Sequence, residues 1–287
     1  MCKGVCSLYR ITYKQQLSPA IHLIVIEATD VAAKAKAGQF IILKVDEEGE
    51  RVPLTIADFD REAGTVTCIF QEVGYTTQQL ASLVCGDELS SFVGPLGQPT
   101  KIDNYGTVVL VGGGVGVAPI FPIARSLKEA GNTVITIMGA RTKELLFWED
   151  RLRQYSDRVL VSTDDGSYCH KGFVTDLLKQ VLTAGDAVSR VWAIGPTIMM
   201  RFVAQTTEPY RIPTIVSMNP IMVDGTGMCG SCRVSVGGQT KFACVDGPEF
   251  DGHLIDWDLA MRRMTTYKDK EALALSRIHE GGHHKCH

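Results

Sequence analysis

Thr107–Pro119 reads TVVLVGGGVGVAP. A β-branched run stops at Gly112, Gly113, Gly114 and Gly116, and PIFPIARSLKEAG then takes up helical periodicity from Pro119. This predicts a strand, a tight turn and a helix in immediate succession. The same alternation recurs downstream. VITIMGA is a strand and KELLFWEDRLRQYS a helix; RVLVSTDD is a strand and FVTDLLKQVL a helix; RVWAIGP is a strand, TIMMRFVAQT a helix, and TIVSM a last strand. Strands alternating with helices of this length predict a doubly wound parallel sheet over residues 101–218. Ligand-binding residues in such a sheet gather at the carboxyl ends of the strands.

Upstream, over residues 1–100, IHLIVIEA, QFIILKV, VPLTIAD and TVTCIF are separated by the turn signals SPA, AGQ, DEEGE and DREAG. Short consecutive strands predict an antiparallel barrel or sandwich. Downstream, over residues 219–287, the rhythm breaks. VDGTGMCGSCRVSVGGQTKFACVDG (Val223–Gly247) is Gly-rich and holds three of the nine cysteines: Cys229, Cys232 and Cys244. With so few apolar residues, such a segment needs metal to hold it. IDWDLAMRRMTTYKDKEALALSRIHE is helical in pattern, and the last residues, GGHHKCH, form a polar tail.

At 287 residues with 45% hydrophobic and 21% charged residues, the chain suits two domains and an appendage. A net charge of −3 supplies no basic field, so nucleic acid is not an expected partner. No stretch of about 18 apolar residues suggests a spanning helix, and MCKGVCSLYRITYKQQ has no apolar core of a secretory signal; no membrane partner and a cytoplasmic location are expected. An odd, unevenly spaced cysteine set argues against a disulfide framework and for metal or redox work by the clustered ones. Cys2, Cys6, Cys68, Cys85 and Cys169 read as ordinary free thiols.

The glycine turn, between strand and helix, has the context of a phosphate cradle: bare backbone permits close approach, and the helix start offers unpaired N–H groups. The match to GxGxxG is imperfect, because the third glycine falls on Val117 or Ala118, and a tight turn that merely needs glycine is the competing explanation. Gly195-Pro196 repeats a bare strand end. Asp164-Asp165 places two carboxylates at a third. Beside an adenosine ribose, such acids accept the 2′-hydroxyl and repel a 2′-phosphate, favouring NAD; a solvated acidic turn explains them equally well.

Arg51-Val52-Pro53-Leu54-Thr55, then GGGVGVAP, then the cysteine segment, in that order, resemble the ferredoxin–NADP reductase superfamily. Over nearly the whole chain, to about Tyr267, the likeness is to the small subunit of the NADH-dependent ferredoxin:NADP oxidoreductase (sulfide dehydrogenase type), and to the electron-transfer subunits of dihydroorotate dehydrogenase. The resemblance implies an N-terminal FAD-binding β-barrel. In it Arg51 pairs with the flavin diphosphate, Pro53 stands where many relatives have Tyr, and Leu54-Thr55 lie against the isoalloxazine. Gly74, Thr76 and Thr77 form a second phosphate turn, and Gly97 lies in the barrel exit. Gly113, Gly114, Gly116, Ala118, Pro119, Gly195 and Pro196 line the NAD(H) site. NADP-using members carry Ser-Arg where this chain has Ser162-Thr163.

In the dihydroorotate dehydrogenase subunits a Cys-x4-Cys-x2-Cys…Cys motif binds [2Fe–2S]. Its last three positions correspond to Cys229, Cys232 and Cys244, and its first to Asp224. A carboxylate fourth ligand is chemically acceptable to iron, and the ferredoxin:NADP oxidoreductase small subunit is a family in which aspartate takes this role. Asp246 is a rival that the motif does not match. A zinc site with His253 as fourth ligand is the structural alternative. The implied activity is a relay from NADH through FAD and [2Fe–2S] to a larger partner subunit carrying flavin and [4Fe–4S] clusters, in a complex that bifurcates electrons. The rivals are the dihydroorotate dehydrogenase electron-transfer role and a zinc-stabilised regulatory subunit with a vestigial nucleotide fold.

Overall fold

Apolar residues on alternate positions build the first sheet. Its strands are β1 (Tyr9–Ser18), β2 (Ile21–Glu27), β3 (Phe40–Lys44), β4 (Val52–Asp60), β5 (Thr65–Gln71), β6 (Glu88–Leu89) and β7 (Ser91–Leu96), with helices α1 (Thr29–Lys34) and α2 (Tyr75–Ser82) between them. All pairings are antiparallel, in the order β6-β1-β2-β5-β4-β3-β7. The two end strands are consecutive in sequence, and Ser90 N–H donates to the Val45 carbonyl (3.2 Å), so the sheet curls into a nearly closed barrel. Ile24, Ile41, Leu43, Ile56, Phe70 and Phe92 fill its interior. The structure, a computed structural model, describes residues 9–267, 269–271 and 273. Cys2, Cys6, the tail from Gly281 and most of the helical pattern after Tyr267 lie outside the described residues.

The second sheet carries β8 (Thr107–Gly113), β9 (Thr133–Ala140), β10 (Arg158–Thr163), β11 (His170–Lys171), β12 (Val188–Ile194) and β13 (Thr214–Ser217), all parallel. Helices α3 (Val117–Glu129), α4 (Glu149–Arg153), α5 (Val174–Thr183) and α6 (Thr197–Thr207) connect them. The order is β11-β10-β9-β8-β12-β13, with the chain reversing at β8, where ligands of open α/β sheets bind.

The long helix expected over KELLFWEDRLRQYS is instead broken. Lys143–Leu145 form a single 3₁₀ turn, Trp148 adopts a left-handed conformation (φ 61°), and only Glu149–Arg153 is α-helical. Tertiary packing overrides propensity here. Phe147 is buried, and Trp148 packs edge-on to Phe121 of α3 (ring centroids 5.3 Å apart).

The cysteine segment contributes a hairpin, β14 (Arg233–Val236) with β15 (Gln239–Phe242), then β16 (Glu249–Asp251) and α7 (Trp257–Met264). It has no separate core. Cys232, Val234, Ala243 and Cys244 belong to one buried cluster with Phe40 and Ile42 of the barrel and Val109, Val111 and Val191 of the parallel sheet. Strand β16 runs antiparallel beside β13 and completes the second sheet. No helix among the described residues is long and apolar enough to cross a membrane.

Candidate functional site

Strand β8 delivers Gly113 at its end, and Gly114–Gly116 make a 3₁₀ turn into α3, where Ala118 and Pro119 are buried. Glycine is required at 116. A methyl there would sit 2.6 Å from the Ile194 carbonyl carbon and 2.8 Å from the Gly195 Cα, and closer still to the Ile194 oxygen. The two bare strand ends are therefore pressed together, with the Met199 sulfur over Gly113. Pro196 precedes α6, and the Thr197 hydroxyl at its first turn is buried with no partner. An orphaned hydroxyl and helix N–H groups beside a glycine turn fit a dinucleotide phosphate.

Asp164 and Asp165 follow β10 as an exposed turn. Asp165 accepts from Ser167 N–H (2.9 Å) and its hydroxyl (2.7 Å), and these bonds hold its carboxyl below the usual range. The same turn is tied to Arg141, whose carbonyl accepts Asp165 N–H, and to Lys143, whose ammonium lies 5.2 Å from the Tyr168 ring centre. The acidic turn is thus anchored to the Arg141–Lys143 segment through the Arg141 carbonyl and the Lys143 N–H, which donates to the Ser167 hydroxyl (2.8 Å), a contact that the local sequence of the turn does not reveal.

On the barrel, Val52, Pro53, Leu54 and Thr55 lie half-buried on β4 and pair with Leu43, Ile42, Ile41 and Phe40 of β3. Arg51 precedes them, exposed and without a hydrogen bond or ion pair among the described residues. Gly74 caps α2, Thr77 Oγ1 accepts from the N–H groups of Val73 and Gly74 (both 2.9 Å), and the Thr76 hydroxyl is buried without a partner. A free guanidinium and an orphaned hydroxyl at a helix start are the donor set a flavin diphosphate needs. Gly97, just past β7, accepts from Gln39 Nε2 (2.8 Å).

Among the cysteines, Cys232 and Cys244 are buried with sulfurs 3.2 Å apart, while Cys229 is exposed and 3.5 Å from the Ser231 hydroxyl. Burial, and Cys232 beside it, push the Cys244 thiol up to about 12; the Ser231 bonds lower that of Cys229. The Asp224 carboxylate accepts N–H bonds from Thr226 (3.1 Å), Met228 (3.1 Å) and Cys229 (2.9 Å). Burial opposes its ionisation, but these bonds prevail and its pKa falls to about 2. Among the described residues no three His, Cys, Asp or Glu side chains converge as the ligands of a single metal ion. The donors come instead as two couples, Asp224 with Cys229 and Cys232 with Cys244. Four protein donors split in pairs fit a two-iron cluster, two to each iron, better than one zinc. His253 bonds Thr207 Oγ1 (3.0 Å), and Asp246 accepts from Phe242 N–H (2.7 Å), so both rival ligands are engaged elsewhere.

Three contacts that join these sites are invisible in sequence. Gly225 packs on the barrel so closely that a methyl there would lie 2.6 Å from Ile42 Cδ1 and 2.8 Å from Leu96 Cδ1. Asp58 of β4 bridges Arg125 of α3 and Arg151 of α4 (both 2.9 Å). Glu249 bonds Thr100 and Trp192.

Barrel, doubly wound sheet and cysteine module together define an oxidoreductase of the ferredoxin–NADP reductase type with an appended iron–sulfur module. Comparison with known proteins agrees. An oxidoreductase NAD-binding domain model matches residues 110–205, and the iron–sulfur cluster binding domain of dihydroorotate dehydrogenase B matches residues 219–256. A dihydroorotate dehydrogenase B (NAD(+)) electron transfer subunit homolog of Thermotoga maritima is 46% identical over 275 residues, covering 96% of this chain and 97% of the relative. The corresponding subunit of Clostridium perfringens is 30% identical over 83% of this chain and 92% of its own length. A chain in the structure of an NADH-dependent reduced ferredoxin–NADP oxidoreductase, solved for insight into flavin-based electron bifurcation, superimposes with a TM-score of 0.89 at 45% identity, covering 96% of this chain and 99% of that one. The chain belongs to the family of dihydroorotate dehydrogenase B electron transfer subunits and their homologues.

Proposed function

We propose that this chain is the NADH-oxidising subunit of a bifurcating NADH-dependent ferredoxin–NADP oxidoreductase, passing electrons to a larger partner subunit that carries further flavin and [4Fe–4S] clusters. The observation that carries this reading is the seating of Gly225, next to the candidate ligand Asp224, on Ile42, because Ile42 pairs with Pro53 in the segment assigned to the flavin. Donor and acceptor sites are thereby separated by one strand.

Bound here, FAD would supply two-electron hydride acceptance and single-electron release, and a [2Fe–2S] cluster one-electron acceptance. The protein's own part is positional. Gly113, Gly114, Gly116, Gly195 and Pro196 cradle the dinucleotide, with Thr197 and the start of α6 as donors. Arg51, Gly74, Thr76 and Thr77 would hold the flavin phosphates, and Thr55 would supply a donor to the flavin ring. Asp58, gripping Arg125 and Arg151, ties the barrel to the helices of the nucleotide sheet and would thereby help orient a bound nicotinamide relative to the flavin site. Asp224, Cys229, Cys232 and Cys244 supply the cluster ligands. Asp164 and Asp165 favour NADH over NADPH.

An anaerobic NADH titration of the purified chain tests this. Bleaching of flavin bands together with an iron–sulfur shoulder is the expected result. Flavin bleaching without the shoulder, in iron-free protein, removes the cluster from the reading, and a colourless protein that has kept its metal overturns it. The family itself favours a second role, in an NAD-linked dihydroorotate dehydrogenase; reduction of the reconstituted complex by dihydroorotate would single that out.

A further inference from the structure

The Gly230-Ser231 stretch between Cys229 and Cys232 is clasped by two arginines that belong to no cofactor site described above. Arg233 Nη1 donates to the Gly230 carbonyl (2.6 Å), and Arg263 Nη2 donates to the Ser231 carbonyl (2.9 Å). Gly230, at φ 67°, leaves the room this needs, since a methyl on it would lie 2.9 Å from Arg233 Nη1. Together with Cys229 and Ser231, both arginines line one cavity of about 310 Å³ between the cysteine loop and α7. The helix that carries Arg263 is tied at its start. The Asp256 carboxylate accepts from Leu259 N–H (2.9 Å), Asp256 N–H donates to the Ser235 carbonyl of β14 (3.0 Å), and the Trp257 indole donates to the Gly252 carbonyl (3.0 Å). Neither guanidinium forms an ion pair among the described residues, and Arg263 Nε is enclosed with no partner.

We propose that Arg263 and Arg233 are positioning residues that set the reduction potential of the iron–sulfur centre: two successive loop carbonyls are held on guanidinium groups, and two unpaired positive charges are kept beside the ligand-bearing loop. The proposal rests on the [2Fe–2S] reading given above. In a trans peptide the carbonyl and the N–H point in opposite directions. Both loop peptides are trans, so the carbonyl held by Arg233 turns Ser231 N–H away from that guanidinium, and the carbonyl held by Arg263 does the same for Cys232 N–H. The Ser231 hydroxyl stands 3.5 Å from Cys229 Sγ, and this hydroxyl and the Ser231 N–H both favour the Cys229 thiolate. Polarising a peptide at its carbonyl strengthens donation from its N–H. Asp224 and the three thiolates would give the centre four anionic ligands, and reduction adds one more negative charge. Donors to ligand sulfur and nearby positive charge stabilise that added charge and so raise the potential. Arg263 should dominate, because it is half-buried whereas Arg233 is exposed and screened by water.

The test is an EPR-monitored redox titration of the intact holoprotein, with iron, zinc and acid-labile sulfide counted for every variant. Arg263→Gln is expected to keep its iron and to lower the reduced-to-oxidised ratio at a fixed applied potential by about tenfold, near the worth of one hydrogen bond to a charged group. For a one-electron couple that is a midpoint about 59 mV lower. Arg233→Gln should lower it less, and Arg263→Lys, which keeps the charge, should recover most of the shift. Arg262 is exposed on the same helix with no side-chain bond among the described residues, so Arg262→Gln should leave the potential near that of the wild type. In resonance Raman spectra the deuterium shift of the Fe–S(Cys) stretches should shrink in Arg233→Gln; this reads the clasp even if Arg263→Gln loses its iron. An unmoved potential in both glutamine variants at positions 233 and 263, or an equal drop in Arg262→Gln, overturns the proposal. A wild-type protein that holds zinc and no iron overturns the [2Fe–2S] reading itself, and the metal count tells the two failures apart.

Discussion

Gly116→Ala should uncouple nucleotide binding from the flavin more severely than any single side-chain loss in the loop. The new methyl lands 2.6 Å from one backbone carbon and 2.8 Å from another, where ordinary contacts begin near 3.4 Å. Neither neighbour is a flexible tip: Ile194 ends β12, which is held between β8 and β13, and Gly195 follows directly. Relief requires the strand ends to part by roughly 1 Å, and overpacking of this kind costs about 1–3 kcal/mol. For a unit of this size that lowers the melting temperature by on the order of 2–10 °C. A misplacement of about 1 Å at reacting groups costs up to about 100-fold in rate. Calorimetry of the FAD-loaded protein and stopped-flow flavin bleaching by NADH give the two numbers. If the variant melts with the wild type and bleaches at the wild-type rate, the glycine is not a closure point and the dinucleotide site has been misplaced.

Asp58→Ala should slow flavin bleaching while leaving NADH affinity, measured by equilibrium titration, nearly unchanged, because Asp58 touches Arg125 and Arg151 rather than the glycine turn; an affinity loss equal to the rate loss refutes an orienting role. Asp224→Cys should retain iron but shift the cluster potential, read by redox titration with EPR, and an unaltered potential removes Asp224 from the ligand set. Replacing Asp164 and Asp165 by Asn should raise NADPH use relative to NADH; an unchanged coenzyme ratio places the ribose elsewhere. Because its folded pKa is raised, Glu249 stabilises the fold fully below about pH 4.5 and loses that contribution as pH rises through about 7. Relative to Glu249→Gln, the wild type should lose up to about 3 kcal/mol across that window, less for the solvent that reaches it, as measured by denaturant unfolding.

Where local pattern decides structure, the sequence was readable. Strands β2–β5 stand out by their apolar runs, which are largely buried in β2, β3 and β5 and half-buried in β4. By contrast β1 is mostly exposed, and its polar residues give no such signal. The break at Trp148 escaped because its cause, Phe121, lies in another helix. The candidate cofactor residues lie in contiguous motifs and so could be proposed from sequence. The joints were not, since Asp58 meets its arginines across 67 and 93 residues and Thr100 meets Glu249 across 149. Such pairings are encoded only in the assembled fold.

The antiparallel strand β16 has a consequence for how the chain is made. Until residues 249–251 arrive, β13 presents an open row of N–H and C=O groups, the kind of edge that recruits other chains. During synthesis the nucleotide sheet is thus left unfinished until the cysteine segment has emerged, and whatever orders that segment also shields the sheet. A chain cut after residue 218, or starved of iron while it folds, should be lost first to aggregation, before any defect in electron transfer could be measured.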